Sequence, residues 1–421
     1  ASPVCSPARA SILTGTMPSY HGVHDWIVSG SVNLGDLPAF SRGREPIRNN
    51  ESVAIDYLEG VAAYTDILAD HGYDIALSGK WHLGDTMKQR KGYTYWNTIL
   101  RGGCRYRAYD MYHDGEITAH TDYLTDRIAD NAIDYLRRGR TDRPFYLGVH
   151  FTAPHTPWDR PEHPPEVWDM YEGVDFKNVP YAPVHRDQMA NSSIGDTPER
   201  RQELIRGYFT AVTAMDAAIG RILQAVKELD LEDDTVIVFT SDNGMNVGQH
   251  GVWGKGNGTY PQNFYEESIR VPLIVRAPGK KPRAVSDMVS HVDLFPSILE
   301  LCGVDGAPDR PCGQSFAGVL DGGAFAREYV CVFSEYGAVR MIRDARYKYV
   351  KNYINGADLF FDLEQDKREE INLIRDPARQ GELHRLAAAL DAGFRQFADP
   401  GRDGSRQFPK GMGQTGLCSS Q

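Results

Sequence analysis

The chain has 421 residues, 41% hydrophobic and 24% charged, an ordinary globular composition with length for one large domain and a smaller one. Its 46 Lys and Arg against 57 Asp and Glu leave a formal charge of −11, which argues against nucleic acid as the main partner, so any anionic substrate must be held by a local cluster of cations. No apolar run approaches the ~20 residues of a membrane span, and none of the six cysteines forms a C-x-x-C pair of the kind zinc-ribbon or thioredoxin-type sites use.

The first predicted element is a short helix in Ser2–Gly15. Pro7 fits the first helical position, where a missing N–H costs nothing, and Gly15 fits the left-handed residue that ends the helix. Cys5 then lies just ahead of the free N–H groups, where the helix dipole favours a thiolate or a bound anion. Arg9, one turn further in, can aim a planar guanidinium at an oxyanion. The stretch reads as an anion site containing a nucleophile. Residues 16–50, with His21, His24, Asp25 and Trp26, read as irregular loop beside it.

A helix is expected over Val61–His71, stopped by Gly72. Tyr73–Ser78 reads as a short buried strand running into Gly79-Lys80-Trp81-His82-Leu83-Gly84. Alternation along an extended backbone puts Lys80 and His82 on one face and Trp81 on the other. A cation beside an imidazole suits an anionic reaction centre. Residues 85–118 are rich in Tyr and Arg without clean periodicity. Leu124, Ile128, Ala132 and Leu136 mark a helix ending at Gly139. Pro144–Phe151 is a strand, and just past it His155 is held between Pro154 and Pro157, a stiffness that suits a positioned acid. Residues 159–198 form a Pro-rich surface excursion or pocket wall, followed by a long amphipathic helix from Leu204 to Val226.

The run Thr235–Thr240 is almost wholly apolar, the pattern of a strand buried on both faces of a parallel sheet. It ends in Ser241-Asp242-Asn243-Gly244, at the carboxyl end where ligands gather in open α/β sheets. Asp242 and Asn243 offer two hard oxygen ligands for Ca²⁺ or Mg²⁺. Gly248–Gly256 follows, carrying His250 and Lys255; Val271–Arg276 is another strand, and His291–Leu299 opens a helix. Cys302 and Cys312 flank a loop and are candidates for a bridge. Beyond about residue 310 the pattern changes to short antiparallel strands at Tyr329–Glu335, Val339–Arg343, Tyr347–Asn352 and Leu359–Leu363. A helix follows around Gly381–Phe397, then an extended tail.

Four of these segments together resemble the type I, formylglycine-dependent sulfatases of the alkaline-phosphatase-like superfamily. They are Cys5-x-Pro7-x-Arg9 with Ala10-Ser11 and Leu13-Thr14-Gly15, then Gly79–Gly84, Pro154-His155-Thr156-Pro157, and Asp242-Asn243-Gly244 with the segment through Lys255. The resemblance implies an α/β fold with a mostly parallel central sheet flanked by helices. It implies a catalytic domain over 1–310, a small antiparallel sheet-plus-helix subdomain over 311–400 and a flexible tail over 401–421. It implies that Cys5 is converted to formylglycine by a formylglycine-generating enzyme. It further implies that Asp242 and Asn243 bind Ca²⁺ or Mg²⁺, that Lys80, His155 and Lys255 bind the sulfate, and that Arg9 and His82 assist. His250 is carried over as a contact to substrate or to the nucleophile region.

The expected reaction is hydrolysis of a sulfate monoester, with a sulfated carbohydrate favoured by the Tyr, Trp, Arg and His of residues 16–50, 85–118 and 159–198. The alternatives are a phosphonate or phosphate ester hydrolase of the same superfamily, and a non-catalytic anion- or glycan-binding homologue. The family usually carries an Asp pair at the end of a first strand ahead of the nucleophile, to which no residue here corresponds. With that strand missing, this chain by itself is expected to bind metal poorly and to have little activity, while the parent protein is expected to be active. Family members of this kind imply a periplasmic or secreted location.

Overall fold

The computed structural model describes residues 2–27, 30–41, 53–138, 143–190, 192–308, 310–334 and 338–406. Its centre is a five-stranded sheet of order β4-β3-β2-β1-β5, built from β1 (Asp74–Lys80), β2 (Tyr93–Ile99), β3 (Tyr109–His113), β4 (Glu116–His120) and β5 (Phe145–His150). β1 runs parallel to both β2 and β5, while β3 and β4 add an antiparallel hairpin at one edge. β1 is the pivot. Six of its seven residues are buried, as a strand covered on both faces requires.

Helices cover this sheet. On one side α1 (Cys5–Thr14), α3 (Tyr64–Asp70) and α8 (Leu294–Leu301) share a core with Ile75, Leu77, Trp81 and Trp96. On the other, α4 (Leu124–Arg137) and α6 (Pro198–Glu228) share cores with Ala76, Ile99 and Met111. Two short helices, α2 (Pro18–His21) and α5 (Pro165–Asp169), lie in the connections. By length and composition α6 is apolar enough to cross a bilayer. Its apolar stripe instead packs within the protein, and Arg221 bonds Asp126 and Asp130 of α4, the arrangement of an amphipathic core helix.

One expectation is corrected. β6 (Ile237–Thr240) is not a parallel strand buried on both faces. It is half-buried and pairs antiparallel with β9 (Leu273–Arg276), apart from the five-stranded sheet. One packed face accounts for the apolar run, because Val238 joins a cluster with Leu294, Phe316, Val319 and Phe325. Between them lie the two-residue strands β7 (Asn246–Val247) and β8 (Trp253–Gly254) and the short helix α7 (Glu266–Ile269).

The C-terminal part is the antiparallel sheet β10 (Val330–Ser334), β11 (Val339–Arg343), β12 (Tyr347–Asn352) and β13 (Leu359–Asp362), backed by α9 (Gln380–Phe397). Leu383, Leu386, Leu390 and Phe394 of α9 fill a core with Phe333, Ile342, Tyr349 and Phe360. Its other face meets the catalytic part through a fully buried lysine. Lys348 Nζ donates to Glu369 Oε1 at 2.6 Å and to the Phe264 carbonyl at 2.9 Å, and lies 2.7 Å from Glu266 Oε1. Cys302 and Cys312 are free thiols rather than a bridge. Gly139, the expected helix stop, and residues 407–421 of the expected tail lie outside the described residues.

Candidate active site

The site is assembled at the carboxyl end of β1. α1 begins at Cys5 itself, with Val4 as the flanking extended residue, so Pro7 is the third helical residue and not the first. Gly15 closes the helix at φ 64°, as expected. Cys5 is buried, 4% exposed. Burial by itself would raise its thiol, but Lys255, then Lys80 and His82, outweigh it and hold the thiol well below its usual range.

Lys80 and His82 both face Cys5, and Trp81 points the other way into the core, edge-on to Trp96 at 5.1 Å. Gly79, at φ 107°, makes the strand end possible, since a β-carbon there would lie 2.2 Å from the His150 carbonyl oxygen. His82 also takes a positive φ of 59°, a costly conformation for a residue with a β-carbon. Its Nε2 donates to the Ile27 carbonyl at 2.8 Å. That bond fixes the proton on Nε2 and leaves Nδ1, buried, as a bare lone pair on the Cys5 side. His82 is therefore built to accept a proton from position 5.

His155 is the converse. Its Nδ1 donates to the Thr156 carbonyl at 2.8 Å, leaving Nε2 free. Burial, then Lys255 and Lys80, hold it well below the usual histidine range, so it is neutral in the free protein. To donate a proton it must first gain one. An anion bound between the two lysines offsets their charge and favours that protonation. Both lysines are buried, at 4% and 8% exposed, and neither has an ion pair among the described residues. Lys255 reaches the site because its loop docks on the N-terminal segment, where the Gly256 N–H donates to the Pro3 carbonyl at 3.1 Å.

Arg9 is differently employed from the sequence expectation. Its guanidinium does not aim at an open position. Nε donates to the Trp81 carbonyl at 2.9 Å, and Nη2 donates to the Lys80 carbonyl and to His150 Nδ1, the latter at 2.7 Å. Nη1 lies 3.4 Å from Asp242 Oδ2. Arg9 thus ties α1, the end of β1, β5 and the Asp242 turn together.

Asp242 and Asn243 lie at the end of β6. Burial would raise the Asp242 carboxyl, but Lys80, Arg9 and Lys255 hold it far below the usual range, so it is ionised. Asn243 Oδ1 is buried without a hydrogen-bond partner, a donor that a cation would satisfy. Ca²⁺ needs about six to eight oxygens. No group of three or more His, Cys, Asp or Glu side chains suited to a metal occurs among the described residues. Two protein oxygens among three cationic side chains do not fit a complete divalent site.

His250 is not among the charges acting on Cys5. At φ 55° its ring stacks on Tyr265 at 3.8 Å, and Nε2 lies 3.1 Å from Glu267 Oε2, in a cluster beside the Asp242 turn. Sequence reasoning missed Asp25. It is 2% exposed beside Cys5; burial pushes its carboxyl up, the Trp26 N–H partly offsets this, and Cys5 pushes it further. Nothing in its Gly- and Ser-rich surroundings signalled that burial. Also missed were Gly102 and Gly103, which lie against the rings of His82 and His155.

Comparisons with known proteins identify the family. The family model "Sulfatase" matches residues 1–304, and a second, "N-sulphoglucosamine sulphohydrolase, C-terminal", matches 248–396. The choline-sulfatase of Rhizobium meliloti is 26% identical, over 93% of this chain and 77% of its own length. The N-acetylglucosamine-6-O-sulfatase of Bacteroides thetaiotaomicron is 27% identical, over 75% of this chain and 62% of its own. A solved structure in complex with its substrate D-glucosamine-2-N,6-O-disulfate superposes with a TM-score of 0.72 at 22% identity, covering 96% of this chain and 90% of that one, a likeness of fold. With a family model spanning its first 304 residues and that family's signature segments gathered around Cys5, the chain belongs to the sulfatases, a family of sulfuric ester hydrolases.

Proposed function

We propose that the protein hydrolyses a sulfate monoester of a carbohydrate and releases inorganic sulfate. The observation that carries this reading is the pair of buried lysines, Lys80 and Lys255, which converge on Cys5 without ion-pair partners among the described residues. Two unpaired buried cations are costly unless an anion completes them. The relatives that act on N-acetylglucosamine sulfate and glucosamine sulfate support the carbohydrate half of the reading.

The formylglycine that a formylglycine-generating enzyme would make from Cys5 supplies, as its hydrate, a nucleophilic hydroxyl at position 5. His82 Nδ1 accepts a proton from that position. Lys80 and Lys255 hold the sulfate oxygens and neutralise the charge that builds on them. With the anion bound, His155 gains a proton on Nε2 and gives it to the departing alcohol oxygen. Asp242 and Asn243 are the proposed ligands of Ca²⁺ or Mg²⁺; binding by this chain is expected to be weak, and no step above runs through the ion. A periplasmic or secreted location goes with this reading, and fractionation of the native host checks it.

Two measurements test the proposal. Mass spectrometry of the Cys5 peptide, from protein co-expressed with a formylglycine-generating enzyme, should show an aldehyde. The full-length protein so prepared should then release sulfate from N-acetylglucosamine 6-sulfate and leave phosphate and phosphonate esters of matched alcohols largely intact. Faster turnover of the phosphorus esters would transfer the assignment to that chemistry. A retained thiol with no turnover would make this an anion-binding homologue.

A further inference from the structure

Residues 101–106 cross the site as a strap that touches both histidines. A β-carbon added to Gly102 would lie 1.9 Å from His82 Nε2, and one added to Gly103 would lie 3.7 Å from His155 Cε1. At Gly102, therefore, the backbone itself packs on the His82 ring. Four residues on, Tyr106 is fully buried and its hydroxyl donates to the His155 carbonyl at 2.8 Å.

The strap is pinned from outside the site by one carboxylate. Glu162 is 2% exposed, yet it lies in the Pro-rich connection that reads from sequence as a surface excursion. Its Oε1 accepts from Arg105 Nε at 2.6 Å, and its Oε2 accepts from the Tyr106 N–H at 2.9 Å. The Tyr106 ring also stacks on Tyr123 at 5.4 Å. A fully desolvated carboxylate that accepts both a guanidinium and a backbone amide makes a strong, directional anchor.

We propose that Glu162 is a positioning residue: by pinning the 101–106 strap through Arg105 and Tyr106, it holds His82 and His155 in register with each other. This rests on the reading of those histidines as base and acid. Glu162 touches neither ring, and the sulfate-holding lysines lie outside its contacts. Its loss therefore slows the chemical step and spares substrate binding. A misplacement of about 1 Å in a catalytic group costs on the order of 100-fold in rate.

The test uses the full chain and the variants E162A, E162Q and Y106F. Ring ¹⁵N spectra of histidine-labelled protein read the two rings directly. The Ile27 and Thr156 carbonyls keep the protons on His82 Nε2 and His155 Nδ1 in both proteins; in E162A the ring resonances of both histidines move and broaden as the strap that packs on them is released. With N-acetylglucosamine 6-sulfate as the probe, kcat of E162A falls about 10- to 100-fold while KM stays within about twofold. E162Q, whose amide oxygen still accepts the Tyr106 N–H, recovers most of both signatures. Unchanged ring resonances, or kcat and KM moving together as from general unfolding, overturn the proposal. Should E162A fail to fold, Y106F decides whether the strap holds His155, since it removes only the hydroxyl on the His155 carbonyl; unaltered His155 ring resonances and kcat there also overturn it. Failure of the unaltered protein to release sulfate from any ester counts against the sulfatase reading, and the ring-nitrogen signature then judges the strap alone.

Discussion

Among the described residues three lysines are buried, and they divide by partner. Lys348, under the C-terminal sheet, is fully enclosed and fully matched, with Glu369, Glu266 and the Phe264 carbonyl around its ammonium. Lys80 and Lys255 are nearly as buried, but they face each other, and the carboxylate acting on them, Asp242, is already engaged by Arg9. The same residue type at similar depth is thus matched within the protein in one place and left unmatched in the other, where the proposed sulfate would complete it. What separates the two uses is whether the protein supplies the counter-charge or leaves it for a ligand.

The sharpest way to break this contrast is at Lys348. Replacing it with methionine (K348M) strands the buried Glu369 without a cation, while Glu266 keeps Arg343, and should cost about 3–5 kcal/mol of stability, read by denaturant unfolding. A loss under about 1 kcal/mol would show that Lys348 is not the keystone described. The second effect is on rate. K80M or K255M should lower kcat about 10²- to 10³-fold, or ~2.7–4 kcal/mol in the barrier, and should abolish inhibition by free sulfate. Full activity in either variant would remove that lysine from the sulfate site.

A third prediction concerns acid. Burial holds His163 at about 4, with Pro157, Glu162 and Asp159 opposing, and holds His150 at about 3, with Arg9 adding to the effect. A base depressed by folding takes up its proton more readily in the unfolded chain. Its stability contribution is therefore complete above the ordinary pKa near 6.5 and is lost as pH falls toward the depressed value. Each such histidine should cost up to about 3 kcal/mol by pH 4. Thermal unfolding at a series of pH values checks this, and H163Q should flatten part of the slope. A melting temperature constant from pH 6.5 to 4.5 would contradict it. The smallest effect runs opposite in sign. K80M should raise stability by about 1 kcal/mol, because it removes an uncompensated buried charge; a destabilised K80M would mean that Lys80 is better paired in the folded protein than its surroundings indicate.

Much of the site was legible because its chemistry sits in short strings whose local geometry is strongly constrained. The alternation around Trp81 placed Lys80 and His82 correctly on one face, and the Gly15 stop was right. Long-range partners were not legible. Arg9 looked like a ligand-facing cation, yet its donors are taken by Trp81, Lys80 and His150, residues 71 to 141 positions away. The pairing of β6 was misjudged because an apolar run does not say whether one face or two will be covered. β2, β3 and β4 went unseen in the Tyr- and Arg-rich stretch, although the aromatic and β-branched run Tyr93–Ile99 and the Asp114-Gly115 turn between β3 and β4 carry strand and hairpin signals.

The lysine cage has one more consequence. Glu266, one of its members, opens α7, and the Ser268 carbonyl in α7 receives the Gly244 N–H at 3.0 Å, directly after Asp242 and Asn243. Residues of the C-terminal junction therefore brace the turn that carries Asp242 and Asn243. An expression clone ending before β12 would forfeit the alignment of the reaction centre while retaining every residue assigned to it, and a protease nick near Lys348 would act as an off-switch at a distance.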